Sequence, residues 1–458
     1  MFAIINYVLL QVSYLLPTIC NILPLVHLSL IVKVFYSPTS IQGPSQILLL
    51  VWSVTEIIFL IYMTILINSL NSTPPQRKHF ATADHGRALI KQVLTKTKGG
   101  LLELMHIWRN LCEPSKQTSG EIGVRNAKNW ISWAIYDITD YDELSLNEKQ
   151  VIDEEFLNSE DYKALNLPDI SDIESPEWNF HDRNTLKISR VPFILYFFSW
   201  LAKLIAASWF KLNGFSNYTR KDVGGLSYWF RPGDLEKTPI VFVHGVGIGL
   251  LQYITKIRQL KQLHGDRPLI LLQLDYISMS LIHKIPTTAN HLTLVDHIFT
   301  SHALKPANWI SHSYGSFVGA FITEKRPHLV NNITFVDPIC FGLIFCNSLY
   351  NLLFTPVKCW TLGFIRYFGA FELSFNYIIH REFIWQDRIF WPDYCNLIDG
   401  KVTVYLSEFD SIIDEKEVGG YLKRYFDHKN FELKTIEGEY HGGYLFNGVK
   451  LNQVLEEL

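Results

Sequence analysis

The chain has 458 residues, 48% of them hydrophobic and 14% aromatic, enough to bury a full-sized core with residues left over for a second region. Net charge is −3 and the basic residues are scattered, so no electrostatic footprint for nucleic acid is present. The six cysteines (Cys20, Cys112, Cys340, Cys346, Cys359, Cys395) form no C-x-x-C pair and no His/Cys cluster at metal spacing, and neither a metal nor another cofactor is expected.

Two apolar runs open the chain. Residues 2–32 carry no Asp, Glu, Lys or Arg and are interrupted by Pro17 and Pro24; residues 47–67 contain Glu56 as their one such charge. About 20 apolar residues cross a bilayer, so residues 1–70 read as a two-span membrane anchor. A signal peptide is the competing reading for the first run, but a basic n-region and a small-x-small cleavage site are both missing. Arg77, Lys78 and Arg87 follow the second run, while the loop between the runs carries only Lys33. The positive-inside tendency then leaves the N-terminus and the large C-terminal region cytosolic, with the endoplasmic reticulum as the expected membrane. Sequons at Asn71, Asn217 and Asn332, with four cysteines between Cys340 and Cys395, keep a lumenal placement open. Glu56 is expected to be neutralised or packed against a neighbouring helix, and no role is assigned to it.

Residues 71–223 read as a connecting region. Its acidic stretch (Asp153, Glu154, Glu155, Glu160, Asp161, Asp169, Asp172, Glu174, Glu177) has the composition of a solvated face or linker. Helices are expected near Leu101–Leu111 and over Val124–Tyr136. The apolar stretch 191–210 carries Lys203 near its middle, which favours a helix in the membrane interface or packed under the C-terminal half over a third span.

From Gly224 the pattern changes to short apolar runs alternating with helical ones. The runs are LSYWF (226–230), TPIVFVHG (238–245), RPLILLQLDY (267–276), ANWISHS (307–313), NNITFVDPI (331–339), KVTVYLSEFD (401–410) and FELKTIEG (431–438). Continuous apolar runs of this length are typical of strands buried on both faces, and their alternation with helices predicts a mostly parallel, doubly wound α/β sheet over 224–458. In such sheets reactive groups sit at the carboxyl ends of the strands.

Ser313 ends one of these runs and directly precedes a helical pattern, with Gly315 two residues on. A sharp strand-to-helix turn needs small flanking residues and pushes its central side chain outward, the arrangement of a nucleophile elbow. Here it reads S-H-S-Y-G, with Ser311 in the place of the first glycine of G-x-S-x-G. HGVGIG (His244 to Gly249) ends an earlier run and offers backbone N–H groups for an oxyanion; it has neither the G-x-G-x-x-G spacing nor a P-loop lysine that phosphate binding would want. A serine also needs a base and an orienting acid. Asp410 ends VTVYLSEFD and His441 follows the last run in EGEYHGG, giving the chain order Ser, Asp, His. Asp337 is the second choice for the acid; it and Glu408 are alternatively turn caps. His312 is read as a packing or hydrogen-bonding residue.

Through HGVG, SHSYG, SEFD and EYHGG, residues 224–458 resemble the α/β-hydrolase superfamily of serine esterases and lipases. The resemblance implies an α/β-hydrolase fold with a helical cap, a triad of Ser313, Asp410 and His441, and oxyanion donors at the backbone of Tyr314 and of Val246, the latter in the loop begun by His244 and Gly245. The whole chain is similar to membrane-anchored hydrolases of fungi and similar eukaryotes. The cap is expected at 340–397, rich in aromatics (FGLIFCNSLYNLLF, REFIWQDRIFW); with the anchor it points to a lipid or other hydrophobic ester as partner. Two alternatives remain: an inactive lipid-binding or scaffold protein on the same fold, and an acyltransferase, for which His291 and Asp296 supply an H-x4-D spacing.

Overall fold

In the computed structural model the described residues are 2–37, 43–72, 82–97, 100–110, 122–169, 180–281, 285–345 and 347–456. Arg77, Lys78, Cys112, Asp172, Glu174, Glu177 and Cys346, which the sequence reading used, lie outside them.

The centre of the molecule is one eight-stranded sheet: β1 (Ser216–Arg220), β2 (Leu226–Arg231), β3 (Ile240–Val243), β4 (Leu269–Gln273), β5 (Ala307–His312), β6 (Val330–Val336), β7 (Val402–Ser407) and β8 (Phe431–Ile436). Their spatial order is β1-β2-β4-β3-β5-β6-β7-β8. Strands β3 to β8 pair in parallel and β2 is antiparallel to both neighbours. Alternating side chains of each strand bury on opposite faces, as the period of two requires. Val241, Val243, Ile270, Leu272 and Trp309 pack with the helices Thr288–Ser301 and Gly315–Lys325 and with the cap. Ile240, Phe242, Leu269, Leu271 and Ile310 face the helices Ile254–His264 and Gly448–Leu455. Burial on both faces is why these strands read as unbroken apolar runs.

Strand β1 was not expected. It lies at the sheet edge, and its polar sequence SNYTR is mostly exposed, so it lacks the apolar signature of a buried strand; pairing to β2 through the Lys221–Gly225 turn holds it in place. The sheet therefore begins at Ser216, ahead of Gly224.

Among the described residues three helices are long and apolar enough to cross a membrane: Asn6–Tyr36 within α1 (Phe2–Tyr36), α2 (Pro44–Ser72) and Phe193–Leu212. Helices α1 and α2 pack together, and His27 of α1 hydrogen-bonds Ser53 of α2 at 3.0 Å. Glu56 does have a structural role. Its carboxylate accepts from the Phe193 and Ile194 N–H groups, both at 2.9 Å, and from the Trp52 indole at 2.9 Å, so it caps the exposed N–H groups at the start of the third apolar helix. That helix then runs along the C-terminal half, burying Ala206 and Phe210 against the sheet's second face. Lys203 reaches Ser280 and, at 3.8 Å, Asp275, which satisfies the charge the sequence left unexplained.

Among the described residues the acidic run is a solvated face more than a linker: Glu154, Glu160 and Asp169 are exposed, while Leu144, Val151, Ile152 and Phe156 in the same stretch are buried. Helices Ala83–Lys96, Leu101–Asn110 and Val124–Tyr136 form a second core with Ile344, Ile389 and Trp391 of the insertion between β6 and β7. Part of its acidic charge is consumed locally: Glu155 pairs with Arg87 at 2.9 Å and Lys91 at 3.4 Å, and Asp153 accepts from Tyr141 at 2.5 Å. Cys20, Cys340, Cys359 and Cys395 are free thiols.

Candidate active site

Strand β5 delivers Ser313 into a tight bend. Its φ is +51°, a left-handed conformation that a non-glycine residue adopts at a cost of order 1–3 kcal/mol. The bend persists because its surroundings over-determine it. Ser313 N–H donates to Val336 O at 3.0 Å, tying the bend to the end of β6, and Ser313 O accepts from Ser316 N–H at 2.9 Å as the helix begins. A Cβ on Gly315 would sit 2.6 Å from Val243 O, and one on Gly245 would sit 2.8 Å from the Cβ of Ser313; both positions need glycine for close approach. Ser311, standing where the motif has its first glycine, fits because Gly319 faces it: a Cβ there would lie 2.7 Å from Ser311 Oγ.

At this bend Ser313 Oγ lies 2.9 Å from His441 Nε2, and His441 Nδ1 lies 2.6 Å from Asp410 Oδ2. Asp410 Oδ1 accepts from the N–H groups of Ile412 and Ile413 at 2.7 and 2.9 Å. A carboxylate this deeply buried is expensive unless hydrogen-bonded, and these donors supply the compensation. In the neutral tautomer Nδ1–H donates to Asp410 and the Nε2 lone pair accepts the Ser313 hydroxyl proton. The bend follows β5, the acid follows β7 and the imidazole follows β8 in a sheet ordered 1-2-4-3-5-6-7-8 with β2 reversed. The chain has the α/β-hydrolase fold. No protein-family model and no curated protein matches it. Solved structures similar to it include a membrane phospholipase A described as a bacterial virulence factor (14% identity, TM-score 0.39, covering 57% of this chain and 94% of that one). A carboxylesterase of the thaumarchaeon Nitrososphaera gargenis (12%, TM-score 0.38, 53% and 97%) and naproxen esterase of Bacillus subtilis (13%, TM-score 0.36, 53% and 90%) are also similar. At such identities and scores the fold assignment rests on this chain's own strand order and bend.

The two carboxylates hold different partners. Asp337, fully buried at the end of β6, accepts from Ser407 N–H at 2.9 Å, Ser407 Oγ at 3.1 Å and Gly442 N–H at 2.8 Å. It therefore fixes the backbone beside His441, while Asp410 takes the imidazole. Burial, then the Asp410 charge, pushes the Asp337 carboxyl up to about 6. Burial alone would lower His441, but the carboxylates of Asp410 and then Asp337 outweigh it and raise the imidazole to about 9. Ligating atoms of Asp337, Asp410 and His441 lie within 4.8 Å of one another, a geometry that could hold a cation; the hydrogen bonds just given account for the convergence. Glu408 accepts from Gly438 N–H at 2.7 Å and acts as a turn cap.

The loop after β3 is held on several sides. Gly245 N–H donates to Tyr253 Oη at 2.9 Å, and that hydroxyl also bonds His312 Nδ1 at 2.7 Å. Gly247 N–H reaches Ile277 O at 3.2 Å with φ +148°, a glycine conformation. His244 turns away from the bend: its Nε2 accepts from Leu274 N–H at 2.9 Å, its Nδ1 lies 2.8 Å from Gly245 O, and burial lowers it to about 4, keeping it neutral. Its place is structural, joining the ends of β3 and β4. Val246 and Tyr314 line the same cavity as Ser313 and His441.

That cavity measures 350 Å³. Its walls include Phe317, Leu349, Leu352, Phe364, Phe375 and Phe383, and it reaches Trp108, Trp133, Asp137, Asp182 and Arg183 from the connecting region. Arg183 pairs with Asp137 at 2.6 Å. These last residues were invisible as cavity wall in the sequence, as was Tyr253 as the clamp on Gly245; none sits in a motif. His291 and Asp296 make no joint site. His291 bonds Tyr276 Oη at 2.9 Å and Thr287 O at 2.8 Å, whereas Asp296 holds Arg326 through two 2.8 Å bonds.

Proposed function

We propose that the chain is a membrane-associated serine hydrolase that cleaves a carboxylic ester of lipid-like substrates through an acyl-enzyme on Ser313. The carrying observation is the continuous relay from Ser313 Oγ to His441 to Asp410, at 2.9 and 2.6 Å, opening on an apolar cavity. In this reading Ser313 Oγ attacks the ester carbonyl while its proton passes to His441 Nε2. The oxyanion accepts from the N–H groups of Tyr314 and Val246, and the helix starting at Gly315 adds its dipole. The imidazolium then protonates the departing alcohol. Water, deprotonated by the same imidazole, releases the acid. Asp410 stabilises the imidazolium and holds its tautomer. The phenyl and alkyl walls of the cavity receive an acyl chain at roughly 25 cal/mol per Å² of apolar surface removed from water. The same reading puts the catalytic half on the cytosolic side, from the loop charge asymmetry.

Incubation of the full-length protein with long-chain ester substrates in vesicles tests it. Wild type is expected to release free fatty acid and Ser313→Ala to release none above background. Undiminished release by Ser313→Ala means another nucleophile; acyl chains recovered on an added alcohol in place of free acid mean a transferase.

A further inference from the structure

The 350 Å³ catalytic cavity has a smaller neighbour of 150 Å³ that no part of the ester chemistry uses. Asn6, Tyr7 and Leu10 of α1 line this second cavity, together with Lys358, Cys359, Trp360, Thr361 and Tyr440. Trp360 and Thr361 line both cavities, so the start of the short helix Trp360–Ile365 forms the wall between them. Tyr440 places the second cavity directly beside the loop that carries His441.

The wall lies where α1 meets the insertion between β6 and β7. Helix α1 docks on the cap at this level: a Cβ on Gly363 would lie 2.6 Å from Ser13 Cβ, Tyr14 donates to Val357 O, and the Trp360 indole donates to Asn6 Oδ1 at 3.2 Å. On the same turns of α1, Tyr7, Val8 and Val12 are 64, 51 and 42% exposed, and exposed apolar side chains continue along the helix to Tyr36. A helix of this length and apolar composition fits a bilayer, and in that setting acyl chains would lie against the α1 face next to Trp360, which also lines the larger cavity.

We propose that the acyl chain of the substrate reaches Ser313 laterally from the bilayer, entering between α1 and the cap through the 150 Å³ cavity and passing Trp360. This rests on the hydrolase reading. An ester drawn this way passes Leu10 and Trp360 as well as Asn6 and Lys358, and its chain avoids most of the exposure to water that an approach from the buffer would require. A short, water-soluble ester has no need of the route.

The test uses full-length protein in vesicles of ether-linked phosphatidylcholine, which offers no ester of its own, with 4-methylumbelliferyl oleate dissolved in the bilayer and 4-methylumbelliferyl acetate in the buffer. The reading is the ratio of oleate to acetate turnover. Leu10→Trp, which fills the second cavity with another apolar side chain, is expected to lower the ratio about tenfold or more, and Trp360→Ala, which thins the wall, to raise it severalfold. A ratio unchanged in both variants overturns the route. Should Leu10→Trp lose labelling by a soluble fluorophosphonate, and so its fold, Tyr7→Trp fills the same cavity and is judged by the same ratio. A wild type that cleaves neither ester overturns the hydrolase reading beneath the route; a wild type that cleaves both, with ratios insensitive to all three substitutions, overturns the route alone.

Discussion

Asp410 and Asp337 both follow strands, both are buried and both lie near His441, yet they have different work because of what their oxygens already hold. Asp410 has one oxygen free for the imidazole; Asp337 spends its oxygens on Ser407 and on Gly442 N–H. Asp410→Asn should leave the fold intact and lower kcat by about 10³- to 10⁴-fold, since an amide favours the wrong tautomer; esterase assays with a soluble ester check this. Asp337→Asn should act differently. The rate rises with pH as His441 loses its proton, and a pKa raised to about 9 puts that limb on the alkaline side of an ordinary histidine. Asp337, itself displaced to about 6, is negative across that limb and helps hold the proton. Removing its charge should shift the limb towards lower pH, read from kcat/KM over about pH 5 to 10. A limb that stays in place would contradict the electrostatic account. The serine and the imidazole were legible because a bend needs small neighbours and because chain order at strand ends restricts the candidates. The sequence ranked Asp410 ahead of Asp337 by its place at a strand end, but the work of Asp337 was not legible, because it depends on where Gly442 N–H points in three dimensions.

The elements carry the bend through backbone contact more than through side-chain chemistry. Helix Gly315–Lys325 can start only if the carbonyls of Val243 and His244 come close to residue 315. Gly315→Ala should therefore destabilise by about 1–3 kcal/mol or more, as overpacking does, and should abolish fluorophosphonate labelling even where the protein still folds; thermal unfolding together with labelling separates the two. The buried strands were readable as apolar runs, whereas β1 was not, because an edge strand with exposed polar side chains has no periodic signal to offer. Glu56 is the parallel case among the helices. Its meaning lay in the unpaired N–H groups of Phe193 and Ile194, 137 and 138 residues away. Glu56→Ala should cost about 0.5–2 kcal/mol, the range for a lost N-terminal cap. That cost should appear as easier proteolysis near residue 193, and unchanged cleavage there would argue against the cap.

At the scale of the whole molecule, the apolar helices and the candidate site share surfaces. The third apolar helix is capped by α2 at one end and buries Phe210 beneath the sheet at the other. The connecting region packs on the insertion over Ser313 and contributes Trp108 and Trp133 to the cavity wall. Its acidic composition concealed this, because charges used in local pairs such as Arg87–Glu155 look the same in sequence as charges facing water. Truncation before residue 216, which would spare the sheet and its reactive groups, should therefore still expose the cap's apolar side and yield aggregated protein, measurable by size exclusion in detergent.

The central claim is that the hydroxyl of residue 313, and no other, is activated by the imidazole 2.9 Å away. Mass spectrometry of peptides from the fluorophosphonate-treated full-length protein tests it most directly. The account predicts a single adduct on Ser313 in wild type, and adduct formation slowed by orders of magnitude in His441→Ala. An adduct on a different residue, or a Ser313 adduct forming at the same rate without His441, would contradict it.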